Sequence, residues 1–193
     1  MKLSGSYQIN LPKEKVWEAL NDPEILKQAI PGCEEFTKNS ETEFTAKATN
    51  KIGPFNASFT GDVELKDLNP PNSYKITGSG NSPVGFASGE ASVKLEEENG
   101  GTKLVYEVEA NVGGKIAQVG ARLIDMTAKK MADIFFGKFS ELITSSSDEV
   151  SVNQNQSEEK NSADSSGKKP SNQKLLIYSG VVLAVAIIAY LIL

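Results

Sequence analysis

The stretch from Leu175 to Leu193 runs for 19 residues without a charged side chain, and it constrains how the rest of the 193-residue chain is read. Twelve of its residues are Leu, Ile or Val, and Tyr178, Ser179, Gly180 and Tyr190 are the least apolar members. As a helix rising 1.5 Å per residue it would be about 28 Å long, close to the roughly 30 Å hydrocarbon core of a bilayer. A helix packed on a globular core shows a polar face, and this segment has none. It predicts one membrane-spanning anchor. Lys168, Lys169 and Lys174 stand before it, and the positive-inside bias places the preceding domain in the cytoplasm.

Residues 146–174 form the next division. They are rich in Ser, Asn, Gln, Glu and Lys, without an aromatic residue and with only two Val and one Ala before the last few positions. Such a composition buries too little apolar surface to offset the entropy of ordering, so a disordered linker is expected. About 30 flexible residues give it a root-mean-square reach of roughly 30 Å.

Residues 1–145 remain for folding, the size of one domain with a single core. They carry 16 Lys and Arg against 20 Asp and Glu, a net of −4. A mildly acidic domain without a basic run is a poor match to a phosphate backbone, which argues against nucleic acid as a partner. The chain has no histidine, so His-based triads and His metal sites are excluded. Its one cysteine, Cys33, excludes an intrachain disulfide and a Cys-rich zinc site. Met1–Lys2–Leu3 leads straight into a strand pattern, and no secretory signal is expected.

Leu3, Tyr7, Ile9 and Leu11 alternate with polar residues as in a half-buried strand. Pro12 opens a short helix carrying Val16, Trp17 and Leu20, and Asp22–Pro23 starts a second. Six strand-like runs follow, at Cys33–Lys38, Glu43–Ile52, Phe55–Leu68, Tyr74–Gly80, Gly85–Glu97 and Thr102–Val112, with turn residues between them. Short connections imply antiparallel pairing. Residues 115–144 read as one long helix whose apolar arc holds Ile116, Gly120, Leu123, Ile124, Thr127, Met131, Ile134, Phe135 and Leu142. The predicted class is α+β, a seven-stranded curved antiparallel sheet gripping a long C-terminal helix, followed by the membrane helix.

The inward alternation of the sheet is unusually small. It offers Ala46, Ala48, Asn50, Ala57, Phe59, Gly61, Gly78, Tyr106 and Val108, and the facing helix offers Gly120, Thr127 and Met131 beside Ala117, Ala121 and Ala128. Interiors pack densely, so two readings stand: helix and sheet approach closely, or a cavity remains for a ligand. The first nine residues with Gly120, Thr127 and Met131 are the candidate cavity lining. Asn50 and Thr127 would either anchor a polar ligand atom or form ordinary internal hydrogen bonds. Glu64, Glu90, Glu107 and Glu109 fall on the outward alternation and read as a solvated face, and Gly78–Ser79–Gly80 lacks the strand–loop–helix setting of a phosphate cradle. Phe136 falls about 160° from Gly120 on the wheel, beside Arg122, Asp125 and Lys129. Phe136 and Arg122 are therefore candidates for a partner contact.

Several ordered stretches carry a family resemblance: Val16–Trp17–Glu18–Ala19–Leu20–Asn21–Asp22–Pro23, Ile30–Pro31–Gly32–Cys33, Ile52–Gly53–Pro54–Phe55, Phe59–Thr60–Gly61, Pro70–Pro71, Gly85–Phe86–Ala87–Ser88–Gly89–Glu90–Ala91, and above all the run from Gly113 to Ile124, followed by Phe135–Phe136 and Phe139. Over residues 1–144 the chain resembles the CoxG family, the G subunits of carbon monoxide dehydrogenase, within the START-like (SRPBCC) helix-grip group. The resemblance implies a helix-grip fold over an apolar cavity, a quinone-like or lipid ligand in place of a cofactor, and a molybdenum-containing carbon monoxide dehydrogenase as partner at the membrane. The expected function is a non-catalytic, membrane-tethered adaptor. Competing readings are a lipid carrier without an enzyme partner and, since some START-like relatives are cyclases or hydrolases, a catalyst.

Overall fold

The computed structural model describes residues 1–152, with side chains described through Ser145. Strand β1 (Lys2–Ile9) is followed by helices α1 (Lys13–Ala19) and α2 (Pro23–Ala29), then by β2 (Cys33–Lys38), β3 (Glu43–Ile52), β4 (Phe55–Asn69), β5 (Ser73–Ser82), β6 (Gly85–Glu98) and β7 (Gly101–Gly114). A 3-10 turn, Lys115–Val119, leads into helix α3 (Ala121–Val152). All strands belong to one sheet in the order β1-β7-β6-β5-β4-β3-β2, and every pairing is antiparallel. The expected seven strands are present in the expected sequence.

Local chemistry accounts for the connections. Asn99 and Gly100 both take positive φ, 54° and 78°, and join the paired residues Glu98 and Gly101. This is the two-residue turn whose twist matches that of the flanking strands. The Asp22 side chain accepts from the Glu24 and Ile25 backbone N–H groups while Pro23 occupies the first helical position, so α2 is capped and preset in φ. α1 and α2 together carry the chain from β1 at one edge of the sheet to β2 at the other. The core gathers Val16, Trp17 and Leu20 from α1 and the turn after it, Leu26 from α2, the inward strand residues, and Phe135, Phe136, Phe139 and Ile143 from α3. Trp17 meets the Tyr74 ring edge-on at 5.4 Å.

The last helical section differs from expectation. Residues 115–144 are not one helix. Gly120, with φ 90° and ψ 144°, separates the 3-10 turn from α3. That conformation is open to glycine and strained for other residues. The wheel is therefore reset, and the buried face of α3 consists of Ala128, Ala132, Phe135, Phe136, Phe139 and Ile143. Leu123, at 37% exposed, and Ile134, at 44%, belong to the expected inward arc but lie at the surface. Among the described residues no helix is long and apolar enough to cross a membrane. The anchor expected at 175–193 and most of the linker expected at 146–174 lie outside the described residues.

Candidate functional site

Strand register assembles the inner face into cross-strand rows. One row is Ala46–Gly61–Gly80–Ala87–Val112 and the next is Phe44–Val63–Gly78–Gly89–Ala110. Seven of these ten residues are Gly or Ala, and they adjoin one another across five strands. Beyond them lie Leu65–Ile76–Ala91–Val108 and then Tyr74–Val93–Tyr106. Toward the β3–β4 hairpin, Ala48 pairs with Phe59 and Asn50 with Ala57. Ala46, Ala48, Ala57, Phe59, Gly61, Tyr106 and Val108 are buried, and Gly78 and Asn50 are half-buried. Ala87, Gly89 and Ala91 of β6 complete the surface and escape the sequence reading, because small residues on both faces of that strand give no apolar–polar contrast to read.

α3 runs across this face. Near its start, a side chain on Gly53 of the β3–β4 hairpin would touch Leu123 and Val119. Nearly four turns later the Phe136 ring stacks on Tyr7 at 4.0 Å and on Tyr106 at 5.6 Å. Between these two points the helix presents Ala128, Ala132 and, next to Phe136, Phe135 as its buried residues, with Ile124, Thr127 and Met131 half-buried. Of the small residues expected on the helix side, Ala128 is buried and Ala117 half-buried, but Ala121 is exposed. Gly120 is exposed too, and a Cβ added to it would meet nothing within 4 Å.

The polar candidates are committed to the fold. Asn50 Nδ2 donates to the Pro31 carbonyl at 2.9 Å and holds the α2–β2 connection. Thr127 Oγ1 donates to the Leu123 carbonyl at 2.8 Å within α3. The continuous wheel puts Phe136 on the polar side of the helix; the residue is instead buried within the aromatic stack, on the same stripe of α3 as Ala132, Phe139 and Ile143. It is inaccessible to a partner. Arg122 is exposed, as expected.

A polar seam that no sequence pattern announces lies beside that stack. The Tyr7 hydroxyl donates to the Asp133 carboxylate, joining β1 to α3. Burial, and next this bond, push the Tyr7 phenol above its ordinary range. Burial and then the Asp133 charge push the Tyr106 phenol up, while its bond with Tyr7 opposes the shift. Both stay protonated at neutral pH. Burial likewise pushes the Cys33 thiol up, with the Lys27 charge opposing, so it is not primed as a thiolate. Among the described residues no group of three or more Cys, Asp and Glu side chains could hold a metal ion. A depression of about 580 Å³ lies on the other face of the sheet, lined by Glu43, Asp62, Glu64, Thr77 and Ser79. It is open, and its lining also takes in Phe44, Val63, Gly78 and Gly89 of the second small-residue row.

The pattern of the CoxG family, the G subunit of carbon monoxide dehydrogenase, matches residues 5–144. The chain belongs to the CoxG family. A crystal structure of a conserved protein from Geobacillus kaustophilus is similar at 31% identity and TM-score 0.72, covering 76% of this chain and 97% of that one. A protein from Thermus thermophilus is similar at 15% identity and TM-score 0.59, covering 76% and 99%. The Zhui aromatase/cyclase of Streptomyces sp. R1128 is similar at 14% identity and TM-score 0.54, covering 75% and 93%. The last two likenesses concern the fold alone, which is START-like. No curated protein matches the sequence.

Proposed function

We propose that this CoxG-family chain is a non-catalytic accessory module that takes an apolar lipid or quinone-like ligand between α3 and the inner face of the sheet. In this reading residues 175–193 tether it to a membrane with the domain on the cytoplasmic side, where it brings a molybdenum-containing carbon monoxide dehydrogenase, or a similar redox enzyme, to that membrane. The family match over residues 5–144 supports the link to the dehydrogenase. The observation that carries the ligand is the block of Gly and Ala across five strands, faced by Ala128 and Ala132. Dense packing requires that the volume forgone by those side chains be filled. Asn50 and Thr127 donate to backbone carbonyls, so the lining selects for apolar shape over polar recognition. The family's description as a subunit of a larger enzyme supports the non-catalytic reading over a cyclase or hydrolase, and the Cys33 thiol is not primed as a nucleophile.

The test is extraction of the full chain in mild detergent from its native cells, followed by mass spectrometry of bound small molecules and proteins. The expected result is a stoichiometric quinone or other lipid, together with dehydrogenase subunits. Gly61→Leu, in the middle of the first row, is expected to remove the small molecule while Gly61→Ala retains it. Unchanged ligand content in a folded Gly61→Leu protein would refute the site. A lipid without any dehydrogenase subunit would favour a carrier acting alone.

A further inference from the structure

The domain is acidic as a whole, yet its charge is divided unevenly. Residues 113–134 hold Lys115, Arg122, Lys129 and Lys130 against two carboxylates, Asp125 and Asp133, the second accepting from Tyr7, and the β3–β4 hairpin beside them adds Lys51. All five cations are exposed. Among the described residues none of them forms an ion pair, as is also true of Lys27 and Lys94, whereas Lys2, Lys13, Lys15, Lys47, Lys66, Lys75, Lys103 and Lys138 each pair with a carboxylate. Apolar side chains stand among these cations. Met126 is 61% exposed, Ile134 44% and Leu123 37%. At 100° per residue, Leu123, Met126, Lys130 and Ile134 fall on the face of α3 opposite its buried one, with Arg122 and Asp133 toward one edge of that face and Lys129 farther round, on the flank. The exposed face of the first turns of α3 is therefore cationic and apolar at once, in a domain of net charge −4.

We propose that this face docks on the surface of an anionic phospholipid bilayer, with Leu123, Met126 and Ile134 entering the headgroup boundary and the unpaired cations meeting lipid phosphates. Interleaved cations and exposed apolar side chains on one helical face are the pattern of interfacial helices, and each cation near an anionic leaflet adds to the attraction. The contact is read from the domain itself and rests on the tether reading only for delivery to the bilayer. Chain length permits both. The 22 residues from 153 to 174 can span up to about 70 Å when extended, whereas α3 is about 48 Å long. An anchor beginning at Leu175 therefore does not hold this face away from the membrane.

The experiment uses the full chain with Cys33→Ser and a single reporter cysteine, either Met126→Cys on this face or Glu96→Cys far from it, each carrying an environment-sensitive fluorophore. The protein is mixed with neutral phosphatidylcholine vesicles, or with vesicles containing phosphatidylglycerol, each doped with spin-labelled lipid. The expected result is quenching at position 126 on the anionic vesicles, lost at about 0.5 M salt or with Lys129→Glu and Lys130→Glu together. Each reversal should weaken contact by about fivefold or more. No quenching is expected at position 96. Equal quenching at 126 and 96, equal quenching on neutral lipid, or none at 126 would overturn the proposal, the last leaving the face to an acidic protein surface. Flotation with neutral vesicles reports the tether separately, so protein that floats without quenching at 126 refutes this contact alone. Protein that fails to float on neutral vesicles but quenches on anionic ones refutes the tether alone.

Discussion

Phe136→Ala is the substitution that most directly probes how α3 is set on the sheet. The ring is 3% exposed and touches three others, with centroids 4.0 Å from Tyr7, 5.0 Å from Phe135 and 5.6 Å from Tyr106. Truncating a buried Phe costs about 3–5 kcal/mol in transfer and cavity terms together. Stacked rings add about 0.5–1.5 kcal/mol per pair beyond their buried area, and Phe135, Tyr7 and Tyr106 are held by separate elements that cannot all collapse into the gap. A loss of about 4 kcal/mol follows. With an m-value of about 2 kcal/mol/M in urea, the unfolding midpoint should fall by about 2 M. Trp17, the single tryptophan, is 5% exposed in the same core and provides the fluorescence signal. Met126→Ala is the control and should stay within about 0.5 kcal/mol of the parent. A Phe136→Ala protein losing less than about 1 kcal/mol would refute the inward placement of this ring, and with it the buried stripe that runs from Ala128 to Ile143.

Two further perturbations read other parts of the same assembly. Gly120→Ala should cost about 1–3 kcal/mol through its positive φ alone, since its new Cβ meets nothing; unchanged stability in the same urea assay would show that the break is not held. At high pH the raised phenols of Tyr7 and Tyr106 contribute stability that is fully present below the unfolded phenol value of about 10 and is lost as pH rises toward their folded values. Thermal midpoints should fall above about pH 10, less steeply in Tyr7→Phe, and ionisation of both phenols at their ordinary value without unfolding would contradict this.

The sheet was legible because burying one face of each strand imposes a period of two, and a slip of one residue would turn every inward side chain outward. Turn residues then marked the ends, as Asn99–Gly100 does between β6 and β7. The helix was legible in kind and not in phase. A wheel begun at Lys115 carries its angle through the 3-10 turn and through Gly120, where the chain departs from helical geometry. Bulky Leu123 and Ile134 then drew the apolar arc toward a face that is exposed. A usable signal was present in Ala128, Ala132, Phe135, Phe136, Phe139 and Ile143, whose spacing of three, four and seven is that of one helical stripe, but two alanines weigh little on a wheel. The Tyr7–Asp133 bond spans 126 residues, and no local pattern encodes a pairing of that kind.

The same stripe gives a physical reason for the candidate site to lie where it does. Toward its C-terminal half α3 contributes Phe135, Phe136, Phe139 and Ile143, large side chains that fill the interior beside Tyr7 and Tyr106. In its first turns the buried residues are Ala128 and Ala132, and the rows of the sheet nearest the β5–β6 hairpin are built from Ala46, Gly61, Gly80, Ala87, Gly78, Gly89 and Ala110. One helix thus closes the domain with aromatic volume at one end and brings little volume at the other. Close backbone approach would satisfy packing density there only if α3 came down onto the central strands. Its backbone runs nearest to α2, β1 and the 3-10 turn, while its buried side chains share one core with the inward strand residues and Phe136 stacks on Tyr106 of β7. In the proposed function an apolar ligand supplies the volume that these side chains forgo, and Gly61→Leu tests that proposal by putting the missing volume into the protein itself.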